Sequence, residues 1–291
     1  MTPHGRQALQ RCLHSPRILV GGIILILIVI ASLGAPIFAP HDPQEQDLIN
    51  TLLPPLWQAG GDASYPLGTD GLGRCILSRL LYGGRVALYV AALSSLGAML
   101  LGTFLALLAG YFRGPVDWLI SRIVEIWMAF PPVILTLLLL LALGAGVNKV
   151  VLAIVLIDWT RFCRVIRSDV MVVARKDYVA AARLVGFSHV RTLMREVLPA
   201  VAPLVLTMLS LEAGIAVVVE AIMSFVGLSV EPDVPAWGVM LADARSTMNQ
   251  APFGVVVPVL AIFLTILSFN LLGDGLRRAL DPRLVTSRGR A

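Results

Sequence analysis

The chain has 291 residues, of which 57% are hydrophobic and only 14% charged, and its mean hydropathy is +0.85. A soluble domain is nearer half apolar and a quarter charged, so the composition excludes a disordered tail and argues for a membrane protein. The net charge of +5 would suit nucleic acid, but in so apolar a chain it suits loops at an anionic membrane surface. Cys12, Cys75 and Cys163 show no CxxC spacing, which speaks against a disulfide framework and a structural zinc site.

About 20 apolar residues are needed to cross a hydrocarbon core of about 30 Å. Taken in order, spans are predicted at 18–38, 86–110, 118–143, 147–165, 201–225 and 253–272. The third holds Arg122 and Glu125; the fourth has the shortest apolar run and is bounded by Lys149 and Asp158. Residues 39–84 form an outer segment rich in Pro, Gly and Asp, and a second outer loop runs from about 227 to 252. With the N-terminal tail 1–17 and the C-terminal tail 273–291 inside, 18 of the 23 Lys and Arg residues fall on the inner side. That bias predicts an all-α, six-span protein with both termini cytoplasmic. The first span could alternatively be a cleaved signal peptide, although its apolar run exceeds the usual length.

The inner segment, about 166–199, has helical pattern instead of loop composition. Apolar and small residues recur at helical spacing from Asp169 to Val185, Gly186 can end that helix in a left-handed conformation, and Ser188 can cap a short helix from His189 to Leu198. Pro199 is expected to stop it. The plain reading is a solvated amphipathic connector; the sharper one is a docking knob for a cytoplasmic partner.

Within the spans, Glu125, Glu212 and Glu220 are costly groups to bury and must face protein or water. Glu212 and Glu220 lie about 80° apart around their helix, so both can face one interior. They could line a solute path, or serve structurally in hydrogen bonds or ion pairs, with Arg122 or with a partner subunit. Ala98, Gly102, Ala106 and Gly110 make a small-residue stripe suited to close helix packing. Pro131, Pro132 and Pro258 should bend or unwind their helices. The run from Gly68 to Cys75 nearly matches a phosphate-binding loop, but Arg74 and Cys75 replace its lysine and hydroxyl, so a structured turn is expected. His4, His14, His41 and His189 lack ligand spacing, and no nucleophile–base set is legible. Neither metal, cofactor nor catalysis is expected of this chain.

The stretch from Tyr178 through Ala181, Ala182 and Gly186 to Leu198 and Pro199 resembles the EAA loop of ABC importer permeases, with Ala180 at the usual Glu and Glu196 at a usually hydrophobic position. The segment Leu67-Gly68-Thr69-Asp70-Gly71-Leu72-Gly73-Arg74 and the following Ser78, Arg79 and Tyr82 are similar to a signature of dipeptide, oligopeptide and nickel importer permeases, with Cys75 at a usual Asp. Ser224 to Leu228 with Pro235 to Leu241, and Asn270 to Arg277 with Asp281, Pro282 and Arg283, resemble two further signatures of that family, in its C-type subunit.

The resemblance implies an inner-membrane permease that forms half of a solute path. Its implied partners are a second related permease, two cytoplasmic ATP-binding subunits and an external solute-binding protein, in contact with membrane lipid and not with nucleic acid. It implies ATPase coupling through Asp177, Tyr178, Ala181, Ala182, Arg183, Gly186, Leu198 and Pro199. Peptides are the leading solute class and nickel or a metal chelate the alternative. An autonomous secondary transporter or channel would need no ATPase but should show an internal repeat or a dense charge relay. A structural membrane scaffold is the third reading.

Overall fold

A computed structural model describes residues 15–231 and 233–280, and apart from one isolated bridge between Thr69 and Cys75 its regular elements there are helices. The predicted basic tails lie largely outside these residues, as do Cys12, His4, His14 and the Asp281, Pro282 and Arg283 motif. Helix α1 (Pro16–Leu33) starts on a proline, whose missing N–H is free of cost in a first turn. A single turn, α2 (Ala35–Phe38), follows. α1 is apolar on nearly every face and mostly exposed, as expected of a helix surrounded by lipid.

Helix α3 (Ile76–Phe112) begins ten residues before the predicted span. Its 37 residues reach about 55 Å, more than a bilayer core needs, so the first turns belong to the former outer segment. Its small-residue stripe is packing surface. A Cβ on Gly102 would meet the Trp159 carbonyl and lie 2.5 Å from the Phe162 Cβ, and one on Gly110 would lie 2.7 Å from Val170. These partners belong to α6 (Val147–Val173), which packs along α3 more extensively than any other pair of helices does. Phe162, Ile166, Val170, Val197 and Val201 are fully buried around that seam.

The third predicted span is broken. α4 (Gly114–Met128) and α5 (Pro132–Leu143) meet at 88°, with Ala129 to Pro131 between them. Pro131 and Pro132 lack the N–H groups that would carry a helix onward, as the sequence predicts. Among the described residues four helices are long and apolar enough to cross a membrane, or five if this bent pair is one span. α6 is not among them, because Lys149, Asp158, Arg161, Arg164, Arg167 and Asp169 dilute it.

Two helix boundaries differ from expectation. The single helix predicted over 169–185 is interrupted at 174–176, between the end of α6 and the start of α7 (Asp177–Leu184). Pro199 does not stop the following helix: α8 (His189–Thr192) passes through a π turn, Leu193–Val197, into α9 (Leu198–Phe225). The wider turn just before Pro199 accommodates its ring and its missing donor. α10 (Trp237–Ala244) and α11 (Phe253–Leu280) are the last helices among the described residues, and α11 runs uninterrupted through Pro258.

Segments assigned to one side by charge collect at one end of the bundle. Arg17 lies 3.6 Å from Asp274, Arg167 pairs with Asp117, and the His189 Nδ1 lies 3.2 Å from the Tyr111 hydroxyl. The two outer segments meet at the opposite end.

Candidate functional site

At the first of these ends the hairpin α7–α8 projects. Gly186 ends α7 with φ +92, and the Gly186 and Phe187 amides donate to the Arg183 and Ala182 carbonyls. The Ser188 hydroxyl accepts from the Arg191 amide at 3.3 Å, so the predicted stop and cap are both formed. Val179 is buried and anchors the hairpin, whereas Asp177, Tyr178, Ala181, Arg183, Gly186 and Pro199 are exposed and Ala182 and Leu198 half-buried. Partial desolvation of its ring, with the Glu196 and Asp169 carboxylates nearby, pushes the Tyr178 phenol above its ordinary range. Leu184, Val185 and Val190 are 89%, 79% and 70% exposed. Such large apolar side chains gathered at a hairpin tip mark a contact surface. The sequence singled out Asp177, Tyr178, Ala181, Ala182, Arg183, Gly186, Leu198 and Pro199 but not Leu184, Val185 or Val190; the apolar pair Leu184-Val185 beside Gly186 was the available signal.

The three intramembrane glutamates do not share one environment. Glu125 pairs with Arg122 at 2.6 Å on an exposed face of α4. Glu212, on α9, reaches the Arg161 guanidinium of α6 at 3.4 Å, and the same Nη1 lies 3.9 Å from Asp158. Glu220 is fully buried; Ser224 and Ser229 donate hydroxyls to its Oε1, and among the described residues its Oε2 has no partner. Arg161 keeps a third of its side-chain surface, and Arg164, one turn along the same face, is exposed. Arg164 in turn lines a cavity of about 270 Å³ between α4 and α6, together with Val124, Glu125, Met128, Cys163 and Arg167. Charges at this depth cannot face lipid cheaply, so this face meets water or protein. Asp158 and Arg161 were read only as the end of a span and as an orientation signal; neither carries a motif, and only the crossing of α6 and α9 joins them to Glu212.

At the opposite end the two outer signatures converge. Arg79, 3% exposed, contacts Asp70 at 2.5 Å and Asp243 of α10 at 2.9 Å, and Arg74 contacts the same two carboxylates at 2.7 Å each. The Asp70 side chain also accepts the Leu72 and Arg74 amides, so the glycine-rich run is the structured turn expected of it. Gly68 and Gly73 have φ of +80 and +74, and a Cβ on either would strike a backbone carbonyl, of Leu53 and Asp47 respectively. Trp237 donates its Nε1 to the Leu80 carbonyl at 2.9 Å. Cys75 and Cys163 are buried free thiols.

A multi-pass helical transport subunit is the class that this bundle, its polar intramembrane face and its projecting hairpin define. The family described as binding-protein-dependent transport system inner membrane component matches residues 102–286, and the N-terminal TM domain of oligopeptide transport permease C matches residues 4–55. The chain belongs to this family of inner-membrane permease components. It is 40% identical over 276 residues to the di/tripeptide transport system permease protein DppC of Pseudomonas aeruginosa, covering 94% of this chain and 91% of that protein. It is 36% identical over 282 residues to the glutathione transport system permease protein GsiD of Pectobacterium atrosepticum, covering 96% and 91%. The dipeptide permease DppC of Haemophilus influenzae is 37% identical over 91% of this chain and 90% of that protein. In fold, the chain is similar to a protein in a crystal structure of an amino acid ABC transporter with histidines, with a TM-score of 0.54, 20% identity, and coverage of 69% of this chain and 94% of that one.

Proposed function

We propose that this chain is one of two related permeases of an ATP-driven peptide importer and forms half of its path. Two cytoplasmic ATPases supply the work and an external binding protein delivers the solute. The observation that carries this reading is the hairpin itself, with Leu184, Val185 and Val190 exposed at its tip. ATP-driven closure of the ATPases moves the hairpin, and α9, which continues directly from it, passes the motion to Glu212 and the polar face. A docking surface can drive such a switch only through contacts that differ between the two states. Peptide as solute is supported by the relatives named above, whose own names specify di/tripeptide, dipeptide or glutathione transport. An even number of spans, with both termini cytoplasmic, is supported by Arg17 at the start of α1 meeting Asp274 near the end of α11.

The test replaces Gly186 with valine in the assembled complex. A β-branched residue cannot hold φ +92 without strain, while nothing lies within 4 Å of its Cβ, so the hairpin tip distorts and the bundle does not. ATP hydrolysis should continue with uptake lost; unchanged uptake overturns the coupling role. A periplasm-active reporter fused after Ala291 should stay silent.

A further inference from the structure

The geometry points to Asp158, Arg161 and Glu212 as a binding site for the α-ammonium group of the peptide in transit, an inference that rests on the peptide-importer reading above. Two carboxylates here share one guanidinium, both through its Nη1 and at 3.4 and 3.9 Å, and among the described residues no other cation lies within 4 Å of either. Asp158, whose side chain is 7% exposed, accepts no hydrogen bond from any described residue. Glu212, 6% exposed, accepts only the one at 3.4 Å. The cluster is therefore one positive charge short, and its acceptors are under-used in a region where unpaired charge is expensive.

An ammonium group offers one positive charge and three N–H donors. Its donors suit the two carboxylates, which keep several free lone pairs, while the Arg161 Nε and Nη2, bonded to no described residue, are left to donate to the peptide's own carbonyl or carboxylate oxygens. The site is reachable, because Arg161 is a third exposed and stands one turn from Arg164 and the cavity between α4 and α6. The pairing distances are long, so the resident ion pair yields to an incoming cation at small cost. Solute must enter such a site and also leave it, and loose pairing serves both needs. The α-ammonium group is common to peptides whatever their side chains. A site for it accepts many sequences and rejects a blocked N-terminus.

The probes are a dipeptide and its N-acetylated form, each at a concentration that saturates the binding protein, in proteoliposomes holding the complete importer. ATP-driven uptake by the native complex should favour the free amine at least ten-fold. Glu212→Gln and Asp158→Asn should each reduce that preference several-fold, and Glu212→Asp should restore part of it; either neutral variant suffices if the other does not assemble. A preference unchanged in these variants, or a parallel fall for both peptides, as expected of a purely structural ion pair, overturns the site alone. No ATP-driven uptake of either peptide by the native complex overturns the importer reading and the site with it.

Discussion

The two ends of the molecule solve opposite problems. At the outer end Arg79 is 3% exposed and held by two carboxylates, Trp237 hydrogen-bonds α3, and a Cβ on Gly238 would strike the Ala221 carbonyl of α9. Arg79 and Asp70 are buried there and paired, and the contacts of Arg74 and Arg79 with the more exposed Asp243 tie residues 67–79 to α10. At the hairpin end the apolar groups are outside: Leu184, Val185, Val190 and Met194 stand clear of the bundle, and Gly186 has open space around it. The first arrangement spends its polar pairing on internal rigidity. The second leaves contact free energy unused within the chain and available to a partner. A transport subunit needs both, since a force applied at one end moves helices only relative to something held fixed.

The largest test of this contrast is Arg79→Met. It leaves Asp70 and Asp243 with only Arg74, and because Asp243 is 36% exposed and stays hydrated the loss should fall below that of a fully buried pair, at about 2–3 kcal/mol. Thermal unfolding in detergent reads this directly, and a loss below 1 kcal/mol would show the network to be surface-like. Gly102→Val forces its branches into the Trp159 carbonyl and Phe162 at the α3–α6 seam, for a loss of about 1–3 kcal/mol by overpacking. Ser188→Ala removes the one side-chain cap on α8, for about 1 kcal/mol confined to the hairpin; amide hydrogen exchange should rise at Arg191 and not at Arg79. Leu184→Ser should change unfolding by less than about 0.5 kcal/mol, because the side chain is 89% exposed. It should nevertheless weaken coupling of ATP hydrolysis to uptake, and intact coupling would remove the hairpin tip from the contact surface.

The smallest effect is one of pH. The Asn50 side chain, with the Ile49 and Asn50 amides and Tyr65, holds the Asp47 carboxyl below its ordinary range. A carboxyl whose pKa is lowered by folding contributes stability above its ordinary pKa, and that contribution is lost as pH falls through the folded value. Acidification below about pH 4 should therefore loosen the loop at 47–50, visible as faster proteolysis there, and Asp47→Asn should abolish the pH dependence.

Much of the fold was legible because each long helix must present an apolar surface. The stretches at 18–38, 201–225 and 253–272 announced α1, α9 and α11 by composition alone, and Pro131 and Pro132 announced the break between α4 and α5. The limits of α3 and α6 were less legible. Arg79 and Arg85 disguised the early start of α3; the structure neutralises the first with Asp70 and Asp243 and uses the second to bind the Ser32 and Leu33 carbonyls at the end of α1. Along the hairpin, Gly186 and Ser188 carry their conformations in their chemistry and were read correctly. Pro199 was misread, because a proline stops a helix only where the preceding turn stays tight, and here a π turn widens it.

The sequence by itself determined that this is a helical membrane chain with a glycine-ended hairpin, and it carries the expectation that 18 of its 23 basic residues, the hairpin's among them, lie on one side. These follow from local properties: hydropathy over about twenty residues, charge along short loops, and the freedom of glycine at positive φ. Only the tertiary structure decided which charges meet. Asp70 and Asp243 are 173 residues apart and Asp158 and Glu212 are 54 apart, yet each pair shares an arginine. No period or motif links them, because the contact is made by helices crossing in space, and it is the low dielectric at those crossings that turns a distant pair of carboxylates into a lock at one end and a site in the middle.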